Sequence, residues 1–316
     1  MTRELSGVVV VDKPSGPTSF DVVRRVKGLF KAKRCGHTGT LDPTATGVLP
    51  ICIGDATKIA SFVSEGEKEY DAVVRFGETT DTQDGAGRTL TTQPLAGLTE
   101  ESAREALQGF VGLIEQTPPM YSARKVDGRR LYELARAGEE VEREARQVHI
   151  DEARLLWFRA PDAGIFVRCS KGTYLRTLAH DLGQRLGPGA HLHQLKRARV
   201  GPFSLEDSVG LDTLMASAKE GREQLDRFVH PVSRALNELA ELQLDSQLAR
   251  RVAHGHAPGP ADLSRLRAPP FSRGRKVRLM DPEGRVLAVG ESDGVGTLKL
   301  LRVLVSGAHD IVEKDY

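Results

Sequence analysis

The period of the apolar positions changes several times along the chain, and each change marks an element. Val8 to Val11 is a continuous β-branched run closed by Asp12-Lys13-Pro14-Ser15-Gly16-Pro17, which predicts a buried strand entering a turn. Thr18 then stands three residues before Asp21, as in a capping box, and Val22, Val23, Val26 and Phe30 fall on one side of the helix that follows. Tyr70, Ala72, Val74 and Phe76 alternate with polar residues and so share one face of a strand. Thr99 is the predicted cap of a helix running to about Phe110, and Arg129 to Gly138 predicts a short helix stopped by that glycine. Two strands flank Ala160-Pro161-Asp162, one ending near Phe158 and one running from Ile165 to Cys169. Leu175, Leu178, Leu182 and Leu186 recur every three or four residues, with Gly187 and Pro188 as the stop, which predicts a further helix. Strands and helices alternate too irregularly for a βαβ array, so the predicted class is α+β.

After Asn237 the texture changes. A short helix over Ser246 to Gly255 is followed by a loop rich in proline, glycine and arginine, then by strands at Val277–Met280, Val286–Val289 and Leu298–Val303. Asp281-Pro282-Glu283-Gly284 suits a type I turn between the first two. This predicts a larger domain over residues 1–237 and a small β-rich domain over 238–316. No internal repeat or heptad is present, which removes solenoids and coiled coils.

Composition refines the picture only in part. With 316 residues, 39% hydrophobic and 28% charged, the chain falls among soluble globular proteins of two domains. The three cysteines, Cys35, Cys52 and Cys169, are odd in number and scattered, so a reducing compartment, the cytoplasm, is expected. No apolar stretch approaches the roughly 18 residues of a membrane span. The net charge of +2 is mild, but its distribution is uneven. Arg24, Arg25, Lys27, Lys31, Lys33 and Arg34 follow one another with no acid between them. A second tract holds Arg250, Arg251, Arg265, Arg267, Arg273, Arg275, Lys276 and Arg278 against Asp262 alone. Two solvated faces or a nucleic-acid footprint would both produce this pattern.

The chemistry concentrates in a few stretches. The phosphate loop, the dinucleotide glycine fingerprint and paired C-x-x-C cysteines are all missing, and the pairs His191/His193 and His254/His256 lack a third ligand in spacing. Neither metal nor nucleotide cofactor is therefore expected. In CGHTGTLDPTATGVLP, Cys35 to Pro50, Asp42 is the sole carboxylate, set among threonines 38, 40, 44 and 46 and glycines that let a ligand approach the backbone. Pro43 pushes Asp42 toward extended geometry. A functional acid and a simple Asx turn both fit that spacing. Arg176 lies in the first turn of its helix, where the macrodipole disfavours a cation, so an anion beside it is expected unless solvent screens it. A bidentate pair with Asp42 would satisfy both. Tyr70 opens an apolar strand face and suits either a core position with its hydroxyl at the rim or a platform for an unpaired base.

Together, GVVVVDKPSGPTS, GHTGTLDPTATGVLPICIG, KEYDAVVRFGETTDTQDGAG, PPMYSARKVDGRRLYELARAG and CSKGTYLRTLAHDLG with GAHLHQLKR resemble the bacterial tRNA pseudouridine-55 synthases of the TruB type over about the first 200 residues. The resemblance implies the pseudouridine synthase fold, a mixed and largely antiparallel sheet with flanking helices, and a C-terminal PUA-like RNA-binding β-domain. It implies isomerisation of uridine 55 in the tRNA T-loop, without a cofactor, by a flipped-base mechanism. It makes Asp42 the essential acid, Arg176 its salt-bridge partner and Tyr70 the base-stacking residue. His37, Tyr174 and Leu195 would line the flipped nucleotide, and Lys13 would support the site. Tyr121 to Gly138, rich in Arg and Lys, suits either an RNA-contacting element that orders on binding or an ordinary connector. The implied partner is the tRNA T-arm, with no membrane, no obligate protein partner and a monomeric state. A tRNA-binding folding chaperone in which turnover is secondary is the alternative from another class.

Overall fold

The computed structural model describes residues 5–122, 125–126, 128–136, 138–139 and 141–304. The principal elements in chain order are β1 (Gly7–Lys13), α1 (Ser19–Phe30), β2 (Cys35–His37), β3 (Thr46–Ile53), β4 (Lys68–Phe76), α2 (Glu100–Gln108), β5 (Gly112–Gln116), β6 (Arg146–Arg159), β7 (Asp162–Cys169), α3 (Leu175–Leu186) and β8 (Ala190–Val200). The tail adds β9 (Ala240–Gln243), β10 (Lys276–Met280), β11 (Val286–Ser292) and β12 (Leu298–Val303).

The large sheet runs β1-β3-β8-β4-β7-β6-β5, extended at the β1 edge by Val209–Gly210. It is mixed and largely antiparallel, as expected: β8 runs parallel to β3, and every other pairing along that seven-strand path is antiparallel. The unbroken valine run of β1 reflects burial on both faces. Val9 and Val11 pack with Val22, Val26 and Phe30 of α1. Val8 and Val10 face Ile59, Val63 and, from the tail, Val286 and Val289. On β4 the alternation holds from end to end, and Tyr70, Ala72, Val74 and Phe76 form one buried cluster with Leu107 of α2 and Leu178 and Leu182 of α3.

The Thr18/Asp21 capping box forms, and so does the Thr99 cap, although α2 ends at Gln108, short of Phe110. The short helix spans Leu131–Arg136. Part of the stretch from Tyr121 to Gly138, including Arg124, Asp127 and Ala137, lies outside the described residues. The three tail strands coincide with the predicted runs and form a sheet with β9, which pairs parallel to β10. Ion pairing engages several residues of the second basic tract. Arg251 meets Asp262, Arg265 meets Asp245 and Asp262, Arg278 meets Glu241, and Lys276 meets Glu65. Among the described residues, no helix is long and apolar enough to cross a membrane.

β8 does most to position the site. Its register against β4 shifts between Leu192 and Gln194, so His193 is the extra residue of a bulge. A bulge reverses the side-chain alternation, and here it puts Leu192 opposite Val74, Leu195 opposite Ala72 and Arg197 opposite Tyr70, all on one face. On its other edge Arg197 is opposite Gly47 of β3. Gly47 has φ 100°, and a Cβ there would lie 2.2 Å from the Arg197 carbonyl oxygen, so only glycine permits this approach.

Candidate active site

The segment between β2 and β3 is short of secondary structure but densely tied. The Ser19 hydroxyl donates to the Leu41 carbonyl and accepts from the Leu41 N–H, both at 2.8 Å, which fixes the segment to the first turn of α1. Gly16 N–H donates to the Pro43 carbonyl at 2.9 Å, and Ala45 N–H closes a turn onto the Asp42 carbonyl at 3.1 Å. The Asp42 backbone is thus a turn, as one reading of the sequence held, and this turn also presents the carboxylate.

Lys13 holds the loop from behind. It is fully buried, and its ammonium donates to the carbonyls of Pro14 at 3.0 Å, Pro43 at 3.1 Å and Ala45 at 2.7 Å. Burial lowers its pKa to about 8, with Asp42 opposing the fall and Arg197 adding to it. The expected supporting residue therefore acts on the backbone either side of Asp42 rather than on the carboxylate.

Arg176 meets Asp42 through Nε and Oδ2 at 3.2 Å, with the arginine side chain 8% and the aspartate 38% exposed. The expected bidentate contact is not formed, because the rest of the guanidinium is occupied. Nη1 contacts Asp84 Oδ2 at 3.3 Å, and Nη2 donates to the Tyr121 carbonyl at 2.9 Å. Asp84 Oδ1 in turn accepts from Thr82 Oγ1 at 2.7 Å and from Ala86 N–H at 3.1 Å. Gly85 and Gln83 dock on Leu192 of β8 through backbone hydrogen bonds of 2.9 and 3.0 Å. One arginine thus bridges two carboxylates whose loops belong to opposite sides of the site. Burial raises the Asp42 pKa above the usual carboxylate range. Arg176 opposes that rise, Asp84 adds to it and Lys13 opposes it.

A small cleft opens beside this pair, walled by Asp42, Asp84, Arg176, Leu192, His193 and Leu195. Of the residues expected at the site, Leu195 lies in the cleft wall with Asp42 and Arg176, whereas Tyr70, His37, Tyr174 and Lys13 stand outside it. The Tyr70 hydroxyl is not at a rim. The residue is 8% exposed, it stands opposite Arg197 of β8, and burial pushes the pKa of its phenol up. His37 accepts the Gly39 N–H on Nδ1 at 3.2 Å, and burial lowers its pKa, so it is a neutral imidazole with its proton on Nε2. Tyr174 caps α3, its N–H and carbonyl both clamped by the Gln116 amide at 2.7 and 3.1 Å. The ring centroids of His191 and His193 lie 6.3 Å apart, and among the described residues no cluster of three or more His, Cys, Asp or Glu could hold a metal ion.

Two participants were not singled out from the sequence. Asp84 carried a local signal, the run of Thr, Asp and Gly in TTDTQDGAG. Arg197 carried one through period two, since it shares a strand face with Leu195 while Lys196 does not.

Comparison with known proteins bears on this arrangement. Residues 27–175 match the model of the TruB family pseudouridylate synthase N-terminal domain, and residues 176–237 match that of the tRNA pseudouridylate synthase B C-terminal domain. The chain is 46% identical over 307 residues to the tRNA pseudouridine synthase B of Burkholderia mallei (strain NCTC 10247), covering 97% of this chain and 99% of that one. It is 43% identical over 305 residues to the same-named protein of Stutzerimonas stutzeri (strain A1501), covering 96% and 97%. Among solved structures, a chain of a Cbf5-Nop10-Gar1 complex superposes with a TM-score of 0.76 at 24% identity, covering 95% of this chain and 85% of that one. A chain of an H/ACA RNP bound to a substrate RNA containing 2′-deoxyuridine gives 0.72 at 23%, with the same coverage. These two likenesses establish shared fold.

Proposed function

The chain belongs to the TruB family of pseudouridylate synthases, and on that premise we propose that it isomerises uridine 55 in the T-loop of tRNA, with Asp42 as the essential acid. The observation that carries the site assignment is the Asp42–Arg176 contact, which joins a braced, otherwise uncharged loop to the first turn of α3. Pseudouridine and uridine have the same composition. The N1–C1′ bond breaks, the uracil turns within the site, a C5–C1′ bond forms, and a proton leaves C5 while one is gained at N1. No oxidant or group donor is needed. The leaving uracil is an acidic imide, so its anion is tolerable, and one carboxylate suffices where a glycosidase usually needs two. Asp42 acts by attack on C1′, by attack on C6 or by removal of the C2′ proton, and all three require the carboxylate form.

The target base is unreachable in a folded T-loop, so it is extruded at a cost of a few kcal/mol. Leu195, His37 and Tyr174 are the proposed contacts for the extruded nucleotide. Tyr70 is proposed to stack on the base, and its hydroxyl to take the C5 proton as its own is released. Residues 1–237 are proposed as the catalytic domain and 238–316 as a PUA-like RNA-binding domain. The basic residues of α1, the tail and the stretch from Tyr121 to Gly138 supply phosphate contacts whose affinity falls with salt. The proposed setting is a cytoplasmic monomer acting on the T-arm without an obligate protein partner.

The test is release of tritium from tRNA labelled at uridine C5, with the modified position mapped. Release confined to the T-loop uridine is the expected result, and release from other positions alone would refute the assignment of uridine 55.

The pH profile of the same assay checks the electrostatics. A rate that needs ionised Asp42 falls as pH drops through its raised pKa, so the acid limb is expected above the ordinary carboxylate range near 4. Deprotonation of Lys13 at about pH 8 removes one of three donors that hold the carbonyls of Pro14, Pro43 and Ala45, which gives an alkaline limb near 8. In Lys13→Arg, which stays protonated, that limb is expected to move up by more than one pH unit. An unmoved limb would assign it to another group.

A further inference from the structure

The bulge that sets the register of β8 leaves His193 without a cross-strand partner. Bulges next to active sites re-aim single side chains. His193 is half-buried and lines the cleft together with Asp42 and Arg176. It also adjoins the loop that carries Asp84, since a Cβ at Gly85 would lie 3.7 Å from its Nδ1. Among the described residues its ring meets that of His191 and engages in no hydrogen bond or ion pair. The rest of the wall is committed. Arg176 divides its donors among Asp42, Asp84 and the Tyr121 carbonyl, and Asp84 accepts from Arg176, Thr82 and the Ala86 N–H. Ala45, Leu192 and Leu195 are apolar, and Thr44 and Gln194 are exposed to solvent. Beside the reacting carboxylate of Asp42, His193 is therefore the half-buried wall residue, among the described residues, with free hydrogen-bonding capacity.

A uracil drawn into this cleft brings an N3–H between two carbonyls, and a donor taken out of water without a partner costs its full desolvation penalty. It needs an acceptor that the reaction does not consume. We propose that His193 is a substrate contact for the reaction, its unprotonated ring nitrogen accepting the N3–H of the target uracil. The inference rests on the functional reading above and deepens it by assigning a residue that recognises the imide edge of the base. A neutral imidazole carries one acceptor and one donor nitrogen, whereas an imidazolium carries two donors and could not make this contact. Burial holds the His193 pKa down, with Arg75 of β4 adding to the fall, Asp162 of β7 opposing it and His191 adding to it, so the acceptor is present at neutral pH.

The experiment measures kcat/KM for tritium release from two T-arm stem-loops, one bearing uridine at the target position and one bearing 3-methyluridine, which has no N3–H. Wild type is compared with His193→Leu, His193→Asn and His193→Gln. On the uridine arm His193→Leu is expected to lose at least about tenfold. The amide oxygens of asparagine and glutamine stand near the places of Nδ1 and Nε2, so one of these two variants is expected to stay within about threefold of wild type and to identify the accepting nitrogen. On the 3-methyluridine arm wild type is itself expected to be at least about fivefold slower, and His193→Leu to cost less than about twofold more. Leucine keeps comparable bulk, so a mere clash with the methyl group would persist in it. Equal losses from His193→Leu on both arms, or no loss on either, would overturn the proposal, since a merely structural histidine does not distinguish the arms. If His193→Leu does not fold, the contact is read with His193 intact, from its ring ¹⁵N resonances in Asp42→Asn. A shift of the unprotonated nitrogen on adding the uridine arm, absent with the 3-methyluridine arm, supports the proposal, and the same response to both overturns it. No tritium release by wild type from either arm refutes the functional reading itself, and the proposal with it.

Discussion

Asp42→Asn is expected to reduce tritium release from the T-loop uridine by at least about 10³-fold while leaving tRNA affinity within a few-fold of wild type. Its melting temperature is expected to be no lower. Burial raises the folded-state pKa of Asp42 above its unfolded value. The folded protein therefore holds that proton more tightly than the unfolded chain does, and the charged carboxylate costs stability once pH exceeds the unfolded pKa. Asparagine has the same shape, can accept from Arg176 Nε through its amide oxygen and carries no charge, so it removes that cost. A catalytic group held at a cost in stability gives this combination of a dead enzyme and an unweakened fold. The same variant separates the two classes of function. If tRNA folding assistance is the main task and turnover secondary, Asp42→Asn stimulates folding of unmodified tRNA as wild type does. If turnover is the task, its loss removes the effect that depends on the modified base. An Asp42→Asn protein that retains full tritium release would return Asp42 to the role of a turn residue.

How much of this site was legible in the chain depends on the range of the interaction. Local signals were reliable. The valine run of β1, the Thr18/Asp21 cap, the alternation of β4 and the leucine spacing of α3 each encode one element through neighbours in sequence, and each element lies where its pattern put it. The macrodipole argument at Arg176 also led to a real anion, because a cation in a first turn is a local misfit whose compensation has to be near. What could not be read was competition for the same group. Nothing in the spacing showed that Arg176 would divide its donors among Asp42, Asp84 and the Tyr121 carbonyl, since those partners are gathered by the sheet from segments far apart in sequence. The bulge at His193 was equally hidden. It alone brings Leu195 and Arg197 to the face of Tyr70, and a bulge is one residue of misregister with no compositional mark. Fold-level topology came from the resemblance of long motifs, because periodicity gives elements but not their order in a sheet.

The division of Arg176 between two carboxylates sets the second large effect. Arg176→Ala removes the cation from a site where Asp84 and Asp42 would then face each other across the space it occupied, with side chains 12% and 38% exposed. Breaking a buried pair costs about 3–5 kcal/mol, and the lower end applies here because Asp42 keeps access to the cleft and its charge is partly screened. The catalytic consequence follows from the same charges. A nearby cation lowers a carboxyl pKa by about 1–3 units, so its loss lets burial and Asp84 push Asp42 higher still. At any pH below the raised pKa, each further unit of rise lowers the ionised fraction about tenfold, and the rate falls with it. Two features distinguish this account from simple collapse of the site. Activity of Arg176→Ala is expected to recover in part as pH is raised from 6 toward 7, below the range in which Lys13 loses most of its proton. A second change, Asp84→Asn, is expected to restore part of both the lost stability and the lost rate in Arg176→Ala, although in the wild-type background it removes a partner of Arg176 and weakens the site. Sign reversal of one substitution between two backgrounds is the signature of a shared cation, and additive losses would show that Asp84 and Asp42 bind Arg176 without competing for its charge.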